Sequence, residues 1–244
     1  MVPGATENAG SIFMLRRWPY GCCATPPARS CRRSNDLPAP LRPRLSAPRQ
    51  QSPSTAPGSY EDIGNVEADI LCRLGLRPGM SVVDLGCGSG RLSSALTKQL
   101  GGSIEYLGID VVQDLLDYAA PRAAPNYRFV LNAELRFPAP EQSADFVTAF
   151  SVFTHLHAHE TFAYLVDARR ILRPGGTIVF SYLTLPQHWR MLVNDLRGRV
   201  RGTLPHLIAY LQPRTIRRWA RELGMHFEDC HADMEHRVAV LKNI

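Results

Sequence analysis

From Tyr60 onward, apolar residues recur in two alternating rhythms. Ile63, Val66, Ile70 and Leu74 stand three or four apart, the spacing of one helix face, and the run stops at Gly75. After the turn Arg77-Pro78-Gly79, the β-branched run Ser81–Leu85 predicts a buried strand. Arg91–Leu100 predicts a helix ended by Gly101-Gly102, Ile104–Ile109 a second strand, and Val112–Ala120 a helix closed before Pro121. Tyr127–Leu131 and Ala144–Phe150 predict the third and fourth strands. The helix His159–Leu172 runs into Leu172-Arg173-Pro174-Gly175, which repeats Leu76–Gly79, and each turn feeds a β-rich run, so Thr177–Leu183 is a fifth strand. Pro213–Leu223 is a last helix with Pro in its first turn and Gly224 past its end, and His226–Cys230 and Arg237–Leu241 read as two closing strands. This alternation predicts an α/β fold, a Rossmann-like, doubly wound parallel sheet. Such sheets hold ligands at the carboxyl ends of their strands, where the strand order reverses.

Composition divides the chain in two. Residues 1–59 hold eight Arg, no Lys and only two acids, so the whole net charge of +6 lies there; residues 60–244 carry 20 basic and 20 acidic groups. The first segment also holds ten of the nineteen Pro and seven Ser, too little apolar material to offset its ordering entropy, and is expected to be a disordered basic extension. A dispensable upstream stretch, a transit segment and a functional basic arm are its three readings. The core, 60–244, is neutral, so no nucleic-acid partner is expected for it. No run approaches eighteen apolar residues, so no membrane span and no membrane partner are expected. The cytoplasm is the expected location, with organelle targeting by the extension left open. Six Cys without paired C-x-x-C spacing argue against a disulfide framework or a zinc ribbon.

Candidate chemistry gathers where the strands end. The first strand runs into Val83-Asp84-Leu85-Gly86-Cys87-Gly88-Ser89-Gly90 and then a helix. Glycines at 86, 88 and 90 let the backbone turn tightly and approach a ligand, with helical amides pointing at it. The G-x-G-x-G spacing departs from the dinucleotide fingerprint. A pyrophosphate would be repelled by Asp84, whereas a nearby ammonium would be attracted. The ligand that fits is a phosphate-free, cationic nucleoside such as S-adenosylmethionine. Asp110 closes the second strand, placed either to accept both ribose hydroxyls or to cap the next helix. Asn132, after the third strand, suits an adenine edge or an ordinary loop.

Val82–Leu92, Tyr106–Asp110, Asp145–Leu156 and Leu172–Phe180 resemble the successive motifs of class I S-adenosylmethionine-dependent methyltransferases, over about residues 60–244. The resemblance implies a seven-stranded sheet, mostly parallel with an antiparallel last strand. It places Gly86, Cys87, Gly88 and Gly90 around the methionine moiety with Asp84 nearby, and Asp110 on the ribose. Val111 would lie on the adenine, Asn132 and Ala133 at its edge, and Phe150 and Ser151 beside the amino group. Methyl transfer to an unidentified small-molecule acceptor is the function it implies. A nicotinamide-dependent oxidoreductase and a non-catalytic cofactor-binding module are the alternatives.

His155 is the candidate general base, needed only if the acceptor carries a proton, with a helix cap or a core hydrogen bond as its other reading. His155, His157 and His159 alternate where a helix begins, which scatters them, and no metal site is expected. The connection from Pro186 to Gln212 is unusually long, and Trp189, Leu192, Val193, Leu196 and Val200 repeat in it at helical spacing. It is expected to form a helical substrate cover, with Tyr182, His188 and Trp189 facing the acceptor.

Overall fold

The computed structural model describes residues 60–200, 208–230 and 236–243. The expectations for residues 1–59 and for the 201–207 part of the Pro186–Gln212 connection lie outside the described residues. The order is α1 (Tyr60–Arg73), β1 (Ser81–Leu85), α2 (Arg91–Leu100), β2 (Glu105–Asp110), α3 (Gln113–Ala119), β3 (Arg128–Leu131) and β4 (Ala144–Ala149). It continues with α4 (Ala158–Ile171), β5 (Leu172–Tyr182), α5 (Leu185–Val200), α6 (Pro213–Glu222), β6 (Met225–Cys230) and β7 (Arg237–Asn243).

Seven strands form one sheet in the order β3-β2-β1-β4-β5-β7-β6. The pairings among β1 to β5 are parallel, and β7 runs antiparallel between β5 and β6. Two-residue periodicity sends neighbouring side chains to opposite faces. Val83, Leu107, Val147, Phe180 and Leu241 face one core with Leu165 and Ile171 of α4 and Ile216 of α6. Val82, Tyr106, Phe146, Val179 and Val240 face the other with Leu71 of α1 and Leu96 of α2. Both faces are thus covered, and the order reverses between β1 and β4, beside the glycine turn.

α3 ends at Ala119, before Pro121 as expected, and a separate 3-10 turn, Ala120–Arg122, takes that Pro in its first turn. One element differs from its sequence reading. The segment Leu172-Arg173-Pro174-Gly175 is not a free turn but the start of β5. Ala144 pairs with Leu172 and Phe146 with Thr177, so the register shifts there and the extra residues bulge out of the sheet. Asp145 anchors the bulge: one carboxylate oxygen accepts from the Ser81 amide at 2.8 Å and from Arg173 at 2.7 Å. Among the described residues no helix is long and apolar enough to cross a membrane.

Candidate functional site

The glycine turn between β1 and α2 has its three glycines at positive φ: Gly86 at 67°, Gly88 at 54° and Gly90 at 86°. The Gly86 and Cys87 amides both donate to the Ile109 carbonyl, at 2.7 and 3.0 Å, which latches the turn to the end of β2. Close approach matters as much as the dihedral angle. A Cβ on Gly86 would stand 2.4 Å from Cγ2 of Val152, and one on Gly90 2.8 Å from the Ala119 Cβ. On Gly88 a Cβ would meet nothing nearer than 4.0 Å, so that glycine serves the backbone conformation alone.

Asp84 is buried within β1. Its two carboxylate oxygens accept hydrogen bonds from the Tyr106 hydroxyl at 2.6 Å and the Thr148 hydroxyl at 2.7 Å. Burial pushes its pKa up to about 6, against the pull of those two donors and of the Arg91 charge, with Asp110 adding to the rise. Asp110 accepts from the Gly88 amide at 2.8 Å and the Val112 amide at 3.0 Å, one on each oxygen. Asp110 thus braces the backbone just before α3, whose N-cap is Val112, and each oxygen keeps a lone pair for another donor. Cys87 is buried, and desolvation, then the neighbouring Asp84 and Asp110 charges, raise its thiol pKa, so it packs as a neutral group. Gly108 makes its room, since a Cβ there would lie 2.9 Å from the Cys87 sulfur.

A cavity of about 230 Å³ opens over this turn. Asp84, Gly86, Cys87, Gly88, Phe150 and Ser151 line it together with Tyr60, Glu67, Ser89, Arg91 and Leu92. Ser151 holds the left-handed conformation, φ 60°, unusual for a residue with a side chain, and its amide donates to the Ser181 hydroxyl at 2.7 Å. That turn presses Val152 into the space Gly86 leaves free, so the loops after β1 and β4 are built against each other. Val111 is 63% exposed just beyond Asp110, and Ala133 is also exposed. Asn132 donates its amide to the Arg136 carbonyl at 2.7 Å and the Glu134 carbonyl at 3.2 Å, so its side-chain nitrogen shapes its own loop.

Sequence reasoning missed the wall supplied by α1. Glu67 is almost fully buried and forms an ion pair with Arg91, whose Nε donates to it at 3.1 Å. Burial pushes the Glu67 pKa up to about 7, with Arg91 opposing the rise and Asp84 adding to it. Tyr60 and Ser89 join their hydroxyls at 2.7 Å. Two signals were present: a carboxylate on the apolar stripe of α1, and an arginine at a helix N-terminus, where the dipole disfavours a cation. Arg91→Met should cost about 3 kcal/mol at pH 8, because it leaves the Glu67 charge buried and unpaired. The raised Glu67 pKa sets the sign: losing Arg91 raises it further, so the cost relative to the wild type shrinks in acid, where Glu67 is protonated in both proteins, and grows as pH rises above about 7, where the wild-type group ionises. Denaturant unfolding of both proteins from pH 5 to 8 checks this.

Tyr182, Trp189 and His155 do not line this cavity. Tyr182, expected to face the acceptor, is instead fully buried among core side chains and donates its hydroxyl to Asp229 at 2.8 Å. Alternation turns it inward, because the last residues of β5 are still paired with β7. Trp189 is 58% exposed on α5, and the His188 side chain lies outside the described residues. His155 is exposed in the turn after β4, its amide donating to the Val152 carbonyl at 2.9 Å. His157 precedes α4, its amide capped by Glu160 at 2.8 Å, and its ring stacks on His159 with centroids 5.7 Å apart. Among the described residues no three His, Cys, Asp or Glu are grouped to hold a metal.

Comparison with known proteins gives the same picture. Residues 82–176 match the model of a methyltransferase domain. The demethylmenaquinone methyltransferase of Staphylococcus aureus is 31% identical over 122 residues, 48% of this chain and 50% of that protein. The ubiquinone biosynthesis O-methyltransferase of Methylococcus capsulatus is 31% identical over 157 residues, 60% of this chain and 63% of that one. The chain thus spans half to just under two thirds of these curated relatives. The magnesium protoporphyrin IX methyltransferase of Synechocystis, solved with S-adenosylhomocysteine, superposes with a TM-score of 0.57 at 17% identity, over 76% of this chain and 86% of that one. With the strand order, the glycine turn and the acids at 84 and 110 already in place, the match of residues 82–176 identifies a methyltransferase domain, and the chain shares its fold with solved methyltransferases.

Proposed function

We propose that this chain transfers a methyl group from S-adenosylmethionine to a small-molecule acceptor. The observation that carries the reading is the pairing of a buried carboxylate, Asp84, with an open glycine turn whose far side is held by Asp110. This donor set suits a cationic nucleoside. A dinucleotide would instead bring its pyrophosphate against Asp84 and Glu67, two acids lining the same cavity.

S-adenosylmethionine would supply a methyl group already activated on a sulfonium. The residues around it then bind, orient and exclude water. Gly86, Gly88 and Gly90 admit the methionine portion to the backbone, and Asp84, Phe150 and Ser151 border its amino group. The free lone pairs of Asp110 face the ribose, Val111 offers an apolar surface to the adenine, and Asn132 and Ala133 form that edge. Positioning is the main contribution, since holding a nucleophile in line with the methyl supplies roughly 7–11 kcal/mol. The segment 186–212 is the proposed cover. Its return is fastened near the turn after β4, the Ala209 amide donating to the Thr154 carbonyl at 2.7 Å and the Leu211 amide to Leu183 at 2.9 Å. The names of the two curated relatives, one acting on a demethylmenaquinone and one in ubiquinone synthesis, support an aromatic, apolar acceptor.

Calorimetric titration with S-adenosylhomocysteine and with NAD tests the cofactor. Binding of the first and not the second is the expected result, and the reverse would return the chain to the oxidoreductases. For a hydroxyl acceptor, His155 is proposed as the base. His155→Gln should then lower kcat about 100-fold with unchanged cofactor affinity. Unchanged turnover would leave His155 with a role in the turn alone.

A further inference from the structure

The helix α5 presents its apolar side to solvent. Leu185, Trp189, Leu192, Val193, Leu196 and Val200 fall within an arc of about 100° when successive residues are set about 100° apart. Four of them are open: Leu185 is 38% exposed, Leu196 51%, Trp189 58% and Val200 89%. Arg190 and Arg197, both exposed, follow Trp189 and Leu196 by one residue and so line one border of the stripe, with Asn194 exposed beyond them. A core-facing helix buries such a stripe; this one is turned outward with cations at its margin.

The occupant must take both the apolar stripe and the arginines. Antiparallel pairing with a second copy of α5 would set the Arg190 and Arg197 margin against an identical margin, bringing like charges together. The 1–59 segment, with eight Arg and two acids, repeats the same sign. An anionic bilayer meets both demands, apolar at the acyl boundary and negative at the headgroups. At sixteen residues α5 is about 24 Å long, too short for a hydrocarbon core of about 30 Å, so it lies on a membrane where it could not cross one. We infer that α5 is an interfacial helix that docks the domain on a lipid bilayer bearing anionic headgroups, with Trp189, Leu196 and Val200 turned into the acyl boundary. The expectation of no membrane partner rested on the missing span, and a surface helix does not need one.

Although α5 lies in the proposed cover, this inference does not depend on methyl transfer, and its test does not use activity. The full chain is sedimented with extruded vesicles of phosphatidylcholine alone or mixed with phosphatidylglycerol. Binding to the mixed vesicles is expected, and Leu196→Ser/Val200→Ser should reduce partitioning about tenfold or more, with an unchanged circular dichroism melt. Mixed vesicles with brominated acyl chains should quench wild-type fluorescence, and Trp189→Phe should remove most of that quenching. Equal partitioning of wild type and double variant, or quenching that survives Trp189→Phe, would overturn the inference. So would a dimer seen by light scattering without vesicles and abolished by the double variant, which would assign the stripe to self-association.

Discussion

Gly86→Ala is expected to destabilise the domain by about 3 kcal/mol and to weaken S-adenosylhomocysteine binding at least about 100-fold. Two costs combine. The residue sits at φ 67°, where a Cβ is disfavoured by about 1–2 kcal/mol, and the new methyl would meet Val152 at 2.4 Å. Gly88→Ala separates them, since at φ 54° with nothing nearer than 4.0 Å it bears only the backbone cost, about 1 kcal/mol. Val152→Ala combined with Gly86→Ala should recover the packing part and leave the dihedral part. Denaturant unfolding of the four proteins and calorimetry with S-adenosylhomocysteine make the comparison. Equal losses for Gly86→Ala and Gly88→Ala would show that the Val152 contact does not constrain the turn.

Asp84→Asn should move binding and stability in opposite directions. At pH 8 the wild-type carboxylate is charged, buried and held by the Tyr106 and Thr148 hydroxyls. Removing that charge deletes its attraction for a cationic cofactor, with an expected loss of about 100-fold in S-adenosylmethionine affinity. The same charge weighs on the fold. Because the folded pKa is raised to about 6, above the ordinary carboxylate value, the native state holds the proton more tightly. That contribution is fully present below about pH 4 and is lost as pH rises through about 6. Asn, which stays neutral, should therefore be as stable as the wild type in acid and more stable by about 2–3 kcal/mol at pH 8. One of the Tyr106 and Thr148 hydroxyls can turn to accept from its amide nitrogen while the other still donates to its carbonyl. Cofactor affinity of the wild type should fall as pH drops through about 6, whereas the variant should be flat there. Calorimetry against pH and parallel unfolding curves check both halves, and a variant that binds normally would remove Asp84 from the site.

Much of this was legible because it is local. The glycine spacing after Ser81–Leu85 marks a strand-to-helix turn wherever it occurs, since few other residues adopt those dihedral angles. Asp110 was legible for the same reason: an acid at a strand tip needs only the strand. Tyr182 was misread because its neighbours in sequence say nothing of the antiparallel strand β7, which encloses it with Asp229. Glu67 and Arg91 escaped because they lie 24 residues apart and meet only when α1 packs on α2. The bulge at the start of β5 depends on Asp145, from another strand, and no pattern within 172–176 reveals it.

By itself the sequence determined the alternation of strands and helices, the glycine turn and the two acids that flank it, because hydrophobic period, backbone freedom and charge act over a few residues. Tertiary structure alone decided that Val152 would fill the space beside Gly86, and that burial would raise Asp84 to about 6 and Glu67 to about 7. It also decided that the apolar stripe of α5 would face outward. Desolvation and close contact depend on which distant surfaces meet, and that is settled only when the sheet and both helix layers have assembled.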